Sequence, residues 1–144
     1  MLRQFLVGGG ASLVNITIHA LVMTMVVRVA KTASMKKISH PSLFLIAVMI
    51  PTVSILMATH ALEVIAWSLV YSIVGAAPAD ANLVYFAFVN YTTLGYGDVI
   101  PVERWRLLGP MTAMNGVLLF GWSTAVIFEV LRKTVALQQD NSEE

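Results

Sequence analysis

The heptapeptide at residues 92–98, T-T-L-G-Y-G-D, decides how the rest of the chain is read. Gly95 and Gly97 alternate with Leu94 and Tyr96, and glycine tolerates the φ > 0 conformations that a uniform strand excludes. Such a segment can run extended with its carbonyls turned to one side, and a row of carbonyl oxygens can replace the water around a dehydrated cation. A Gly-rich turn between two buried helices would not account for threonine, tyrosine and aspartate at these positions.

Outward from this segment the chain is apolar on both sides. Apolar residues make up 58% of the sequence, charged residues 12%, and mean hydropathy is +0.78, whereas ordinary globular domains carry about 25% charge. Three stretches lack charge altogether: residues 4–27 between Arg3 and Arg28, 38–62 between Lys37 and Glu63, and 107–128 between Arg106 and Glu129. Each exceeds the ~18 residues that license a transmembrane helix. The second apolar region continues past Glu63 to about Gly75. Either it tilts, or the turns before Pro51 lie along the interface and the proline bends the chain there. The length allows one domain, the absence of cysteine excludes a disulfide framework or thiolate metal site, and a net charge of +1 gives no argument for nucleic acid.

Between Gly75 and the heptapeptide, Pro78 and Asp80 are helix-start residues, with Asp80 as N-cap. The helix that follows, ending at residue 91, is too short to cross a bilayer, so it re-enters. Non-helical backbone at membrane depth is tolerated only inside a protein assembly around a hydrated path. An oligomer is therefore required.

The stretches F-V-N-Y-T-T-L-G-Y-G-D-V-I-P at 88–101, W-R-L-L at 105–108 and N-G-V-L-L-F-G-W-S-T at 115–124 resemble the small prokaryotic potassium-channel pore proteins. The resemblance covers about residues 41–134. It implies an all-α membrane protein with an outer helix (41–76), a re-entrant pore helix (80–91), a selectivity filter (92–98) and an inner helix (107–134), four copies closing the pore. Residues 1–30 add an N-terminal transmembrane helix, 31–40 a basic linker and 135–144 a short tail. Residues 1–30 admit two other readings. A cleaved signal peptide conflicts with the length of the apolar run; a helix lying at the interface is suggested by Asn15 and His19, which interrupt the apolar face.

By the same resemblance, Thr93 supplies a carbonyl and a hydroxyl to K⁺, Leu94, Gly95 and Tyr96 each a carbonyl, and Gly97 shapes the outer mouth, with Thr92 and Asp98 completing the filter. K⁺ is the permeant ion, and neither a cofactor nor catalysis is implied. The pore helix points its negative C-terminal end at the ion path. The family's orientation makes the linker and tail cytosolic. Arg28, Lys31, Lys36, Lys37, Arg132 and Lys133 then lie inside against Arg3, Arg104 and Arg106 outside, the expected bias. That places the protein in the plasma or inner membrane with its N-terminus outside and its C-terminus in the cytosol.

This sequence departs from the family in places. Leu94 replaces the common valine, a mild change because only its carbonyl would meet the ion. Tyr85, Phe86 and Val89 stand where many members carry a tryptophan pair and some a glutamate, leaving Tyr85 and Asn90 to brace Asp98 or Tyr96. In the family a glycine along the inner helix serves as a gating hinge, which suggests Gly121 first and Gly116 second; both could equally allow close helix packing. Asn115 and Thr124 are polar groups that could face a hydrated cavity or bond to neighbouring helices.

Intramembrane Glu63 is a functional residue by default. His60 lies three residues earlier on the same face, so the two form a titrating pair or a structural ion pair, unless Arg104 or Arg106 reaches Glu63. A metal site at His60 and Glu63 lacks partner ligands in the sequence. No span carries arginine at every third position, and the tail after Lys133 is expected to hold no ligand-binding domain, so gating falls to a partner protein or the membrane. The alternatives to a K⁺-selective channel are a weakly selective cation channel, a filter-containing subunit of an ion transporter, and a membrane scaffold.

Overall fold

The chain forms four α-helices in a computed structural model that describes residues 1–33 and 41–140. They are α1 (Leu2–Ala33), α2 (Pro41–Val74), α3 (Leu83–Tyr91) and α4 (Leu108–Asp140), with one 3₁₀ turn at Glu103–Trp105. No strand occurs among the described residues. Stretches Leu2–Val29, Ser42–Val74 and Glu103–Ala136 are long and apolar enough to cross a membrane. The linker proposed at 31–40 lies, from residue 34 onward, outside the described residues, as do residues 141–144 of the tail.

Local sequence explains most of the boundaries. α2 runs unbroken through Pro51, so the turns before the proline continue the same helix. It stops at Val74 because Gly75 takes φ +62 and passes the chain into a left-handed cap, with Gly75 N–H on Ser72 O and Ala76 N–H on Tyr71 O. Asp80 is not the N-cap of the short helix. Pro78 opens a turn closed by Ala81 N–H on Pro78 O, and the cap passes to Asn82, whose Oδ1 accepts the Tyr85 N–H at 3.0 Å. At nine residues, α3 is about 13 Å long and cannot span a bilayer. α4 extends past residue 134 to Asp140, so residues 135–140 of the expected tail are helical.

Contacts fix the directions of the spans. Arg3 lies over the Trp105 ring at 5.1 Å and Gln4 Oε1 accepts the Leu107 N–H at 2.8 Å, so α1 and α4 start at the same end. Met23 and Val26 pack with Phe44, Val48, Val126 and Val130 at the other end, so α2 runs opposite to both. The Val102 N–H returns to Ala76 O at 2.8 Å, pinning the segment after the heptapeptide to the end of α2. α1 is therefore a full member of the bundle, packed on α2 and α4.

A polar layer crosses the middle of an interior that is apolar at both ends. Between an apolar cluster around Trp67, Tyr71, Phe86 and Trp105 and a second around Met23, Leu56 and Val126, the helices bury Asn15, His19, His60, Glu63, Asn115 and Ser123. Phe5, Leu21, Ile73, Leu118 and Phe128 point outward. That arrangement suits helices whose outer solvent is lipid or a neighbouring subunit.

Candidate functional site

Helix α3 ends at Tyr91 and delivers the chain directly into residues 92–98. Thr92 is the C-cap, and its N–H bonds to Phe88 O. Thr93 adopts φ +60, with its N–H on Asn90 O at 3.0 Å and the Leu94 N–H on Val89 O at 3.0 Å. This is the same left-handed cap that ends α2, but with threonine where glycine is usual. A β-branched residue in this region is an outlier, and such strain marks functional segments.

Gly95 follows at φ +59 and Gly97 at φ +78. Left-handed residues thus fall at 93, 95 and 97, every second position, and Leu94 and Tyr96 between them do not share that sign. The first of the three is Thr93, which the glycine pattern does not disclose. The side chains of Leu94 and Tyr96 are exposed on the single chain.

The Asp98 end of the segment is braced by one side chain. Tyr85 Oη donates to Asp98 Oδ2 at 2.6 Å, while Asp98 Oδ1 accepts its neighbour's Val99 N–H. Asn90 does not share this role: its Nδ2 donates back to Phe86 O on α3. The hydrogen bond to the Asp98 carboxylate, together with the charge there, raises the Tyr85 phenol above its ordinary value. Since that value is already near 10, the brace holds throughout neutral pH and is lost only as pH rises through the raised value. Tyr85→Phe removes it at every pH. We expect faster amide exchange at residues 96–99 in the variant, with α2 and α4 unaffected, as read by hydrogen exchange in detergent.

The glycines of α4 separate into two environments. A Cβ on Gly116 would overlap the Tyr91 carbonyl oxygen, whereas one on Gly121 would meet nothing within 4 Å. Gly116 is thus where the inner helix touches the backbone of the short helix, one residue before the heptapeptide. Gly121 faces outward on the single chain. Asn115 is not a cavity residue. It is buried, and its Oδ1 accepts from Asn15 Nδ2 at 3.1 Å and from Trp67 Nε1 at 3.0 Å. Thr124 is exposed, with its hydroxyl donating to Phe120 O.

Glu63 sits at the centre of the buried polar cluster. Its Oε1 lies 2.8 Å from His19 Nδ1, its Oε2 lies 3.0 Å from His60 Nδ1, and Tyr91 Oη donates to Oε2. Neither arginine reaches it: Arg106 pairs with Glu103 at 3.2 Å, and Arg104 lies beside Gly75. Asn15 Nδ2 also donates to the Glu63 backbone carbonyl at 3.2 Å. Asn15 and His19 are therefore not interruptions of an interfacial helix but the contacts that dock α1. Their four-residue spacing on one helical face was the available signal, since polar side chains inside a span tend to face protein. Glu63→Ala would leave two imidazoles and a phenol facing a void, at about 3–5 kcal/mol by analogy with broken buried pairs. Melting in detergent should show a correspondingly large drop, with α1 the first helix to exchange.

A family model described as "Ion channel" matches residues 59–133, from the His60 region of α2 through α3, the heptapeptide and most of α4. No curated protein and no solved structure matches the chain.

Proposed function

This chain belongs to the ion-channel family whose model spans residues 59–133, and we propose that it is a K⁺-selective channel in which four copies close one pore. The observation that supports this most is the left-handed backbone at Thr93, Gly95 and Gly97 within T-T-L-G-Y-G-D. With one such segment per chain, a ring of carbonyls needs neighbours. Thr93, Leu94, Gly95 and Tyr96 would present those carbonyls, and the Thr93 hydroxyl would add a further oxygen at the inner end. Thr124, exposed one face away from the buried cluster, is the remaining polar residue of α4 suited to a water-filled cavity. Gly121, where an added Cβ would meet nothing within 4 Å, is the better-placed hinge, because Gly116 is committed to packing.

Tyr85 and Asp98 lie at the end of the bundle where α2 stops and α1 and α4 begin. If that end faces outside, the N-terminus does too, and Arg132 and Lys133 lie on the cytosolic side.

Purified protein in liposomes should take up Rb⁺ against a trapped K⁺ gradient, with Ba²⁺ blocking and no nucleotide or coupling ion required. Native mass measurement in mild detergent should find four chains. A conducting monomer would defeat the mechanism.

Thr93 offers a sharper test, because its backbone and its hydroxyl make opposite demands. Thr93→Gly should relieve about 1–2 kcal/mol of left-handed strain and leave the fold intact or firmer. Conduction or selectivity should nevertheless fall, because the hydroxyl is gone. Unchanged currents in Thr93→Gly would remove that side chain from the ion path.

A further inference from the structure

The cluster around Glu63 is more than a helix fastener. Its hydrogen bonds can be counted. If both histidines are neutral and donate from Nδ1 to Glu63, both Nε2 atoms need a donor. They share one: His60 Nε2 lies 2.9 Å and His19 Nε2 3.4 Å from Ser123 Oγ, and a serine has a single hydroxyl proton. One Nε2 is then left without a partner in a membrane interior. With neutral imidazoles the count closes if His60 carries its proton on Nε2, donating to Ser123 Oγ while Tyr91 Oη donates to His60 Nδ1; two other arrangements close it as well. One is an extra proton on the histidine pair.

The other is a metal ion that takes the Nδ1 lone pairs and the carboxylate. Each Nε2–H then donates to one of the two lone pairs of Ser123 Oγ, and metal-bound histidine ordinarily spends its second ring nitrogen in this way. Several features favour the metal. One ligand atom from each of His19, His60 and Glu63 lies within 4.8 Å of the others, all three residues are buried, and they come from two helices far apart in sequence. His60 Nδ1 stands 3.0 Å from both Glu63 Oε2 and Tyr91 Oη, an arrangement one N–H proton cannot serve well but a cation among the donors can. Among the described residues the ion partners of Glu63 are these two histidines alone.

We propose that His19 Nδ1, His60 Nδ1 and the Glu63 carboxylate bind one divalent transition-metal ion of the Zn²⁺ type, with Tyr91 Oη as fourth donor. Two imidazoles with carboxylate and phenol oxygens, and no thiolate, suit Zn²⁺ and its neighbours and not Mg²⁺ or Ca²⁺, which take mostly oxygen. Tetrahedral ligation at roughly 2.0–2.2 Å sets donor atoms about 3.3–3.6 Å apart, so the 2.8 Å His19–Glu63 and 3.0 Å His60–Glu63 contacts and the shorter Tyr91–Glu63 contact widen on binding. If Tyr91 ligates as phenolate, the dication, carboxylate and phenolate sum to zero charge, and binding releases a proton. The ion ties α1 and α2 to the last residue of α3, next to residues 92–98. This inference does not depend on which ion crosses the pore.

The test uses the full-length protein in detergent, stripped by chelator and titrated with Zn²⁺ against a chromogenic competitor. The expected result is one tight site per chain, with proton release and a higher melting temperature on binding. Co²⁺ in its place should give the visible absorption of a four-coordinate nitrogen and oxygen site. Ser123→Ala should weaken binding by about 10–100-fold, as loss of a second-layer partner does, and His19→Gln or His60→Gln by more than that. Should those variants fail to fold, X-ray absorption at the zinc edge of the wild type still decides, through a shell of light atoms near 2.0–2.1 Å that includes imidazole. Zinc binding equal in wild type and folded His19→Gln/His60→Gln protein would overturn the proposal. So would a melting temperature that responds to pH but not to Zn²⁺, which would assign the closure to the extra proton.

Discussion

Gly95→Ala and Gly97→Ala should each abolish K⁺ conduction or its selectivity. Both positions hold positive φ, +59 and +78, where a Cβ crowds the following carbonyl at roughly 1–2 kcal/mol per residue. Space is not the obstacle: a Cβ at Gly97 meets nothing within 4 Å, and one at Gly95 meets only the Thr93 carbonyl at 3.8 Å. The cost lies in the backbone. An alanine that escapes to negative φ rotates a carbonyl out of the row, and if four copies meet, the error is repeated around the ring. Leu94→Val is the control. Its side chain is exposed on the single chain and only its carbonyl would meet the ion in the proposed filter, so currents should be nearly unchanged. Planar-bilayer recordings of the three variants check the ranking, and a silent Gly95→Ala beside a dead Leu94→Val would contradict the backbone arrangement.

Gly116→Ala should be the most damaging single methyl on the inner helix. Glycine to alanine in a helix interior ordinarily gains up to about 1 kcal/mol, and Gly121→Ala, with nothing within 4 Å, should show that gain or no change in stability. At Gly116 the added carbon collides with the Tyr91 carbonyl, which is backbone and cannot rotate aside. Overpacking of this kind costs about 1–3 kcal/mol and sometimes more, so it exceeds the helix gain. The clash also pushes on the residue immediately before Thr92 and on the phenol that bonds Glu63. Low expression, a lower melting temperature in detergent and loss of assembled oligomer are expected for Gly116→Ala together. Equal melting temperatures for Gly116→Ala and Gly121→Ala would mean that α3 does not sit against α4 as described.

The sequence discloses those parts of this fold that depend on local pattern. Three charge-free stretches mark three spans, and a short apolar run ahead of T-T-L-G-Y-G-D marks a helix that re-enters. Where the reading shifts, a specific competing interaction is responsible. Asp80 is a good N-cap residue, but Pro78 closes a turn through Ala81 and hands the cap to Asn82. Thr93 in a left-handed cap runs against the preference of β-branched residues, so no propensity argument reaches it. Asn115 resembles a cavity-facing amide until the fold brings it to Asn15 and Trp67, 100 and 48 positions away. His19 is the plainest case. Its partner Glu63 lies 44 residues off, and without that contact a histidine in a span reads only as an interruption. The neighbours of His60 and Glu63 that the sequence does not bring near them are His19 of α1 and Tyr91 of α3.

The measurement closest to the central claim is the reversal potential of purified protein in planar bilayers with K⁺ on one side and Na⁺ on the other. The carbonyl row predicts a reversal potential near the K⁺ equilibrium value, with Rb⁺ able to replace K⁺. A reversal potential near zero in the same solutions, signifying equal passage of K⁺ and Na⁺, would contradict it.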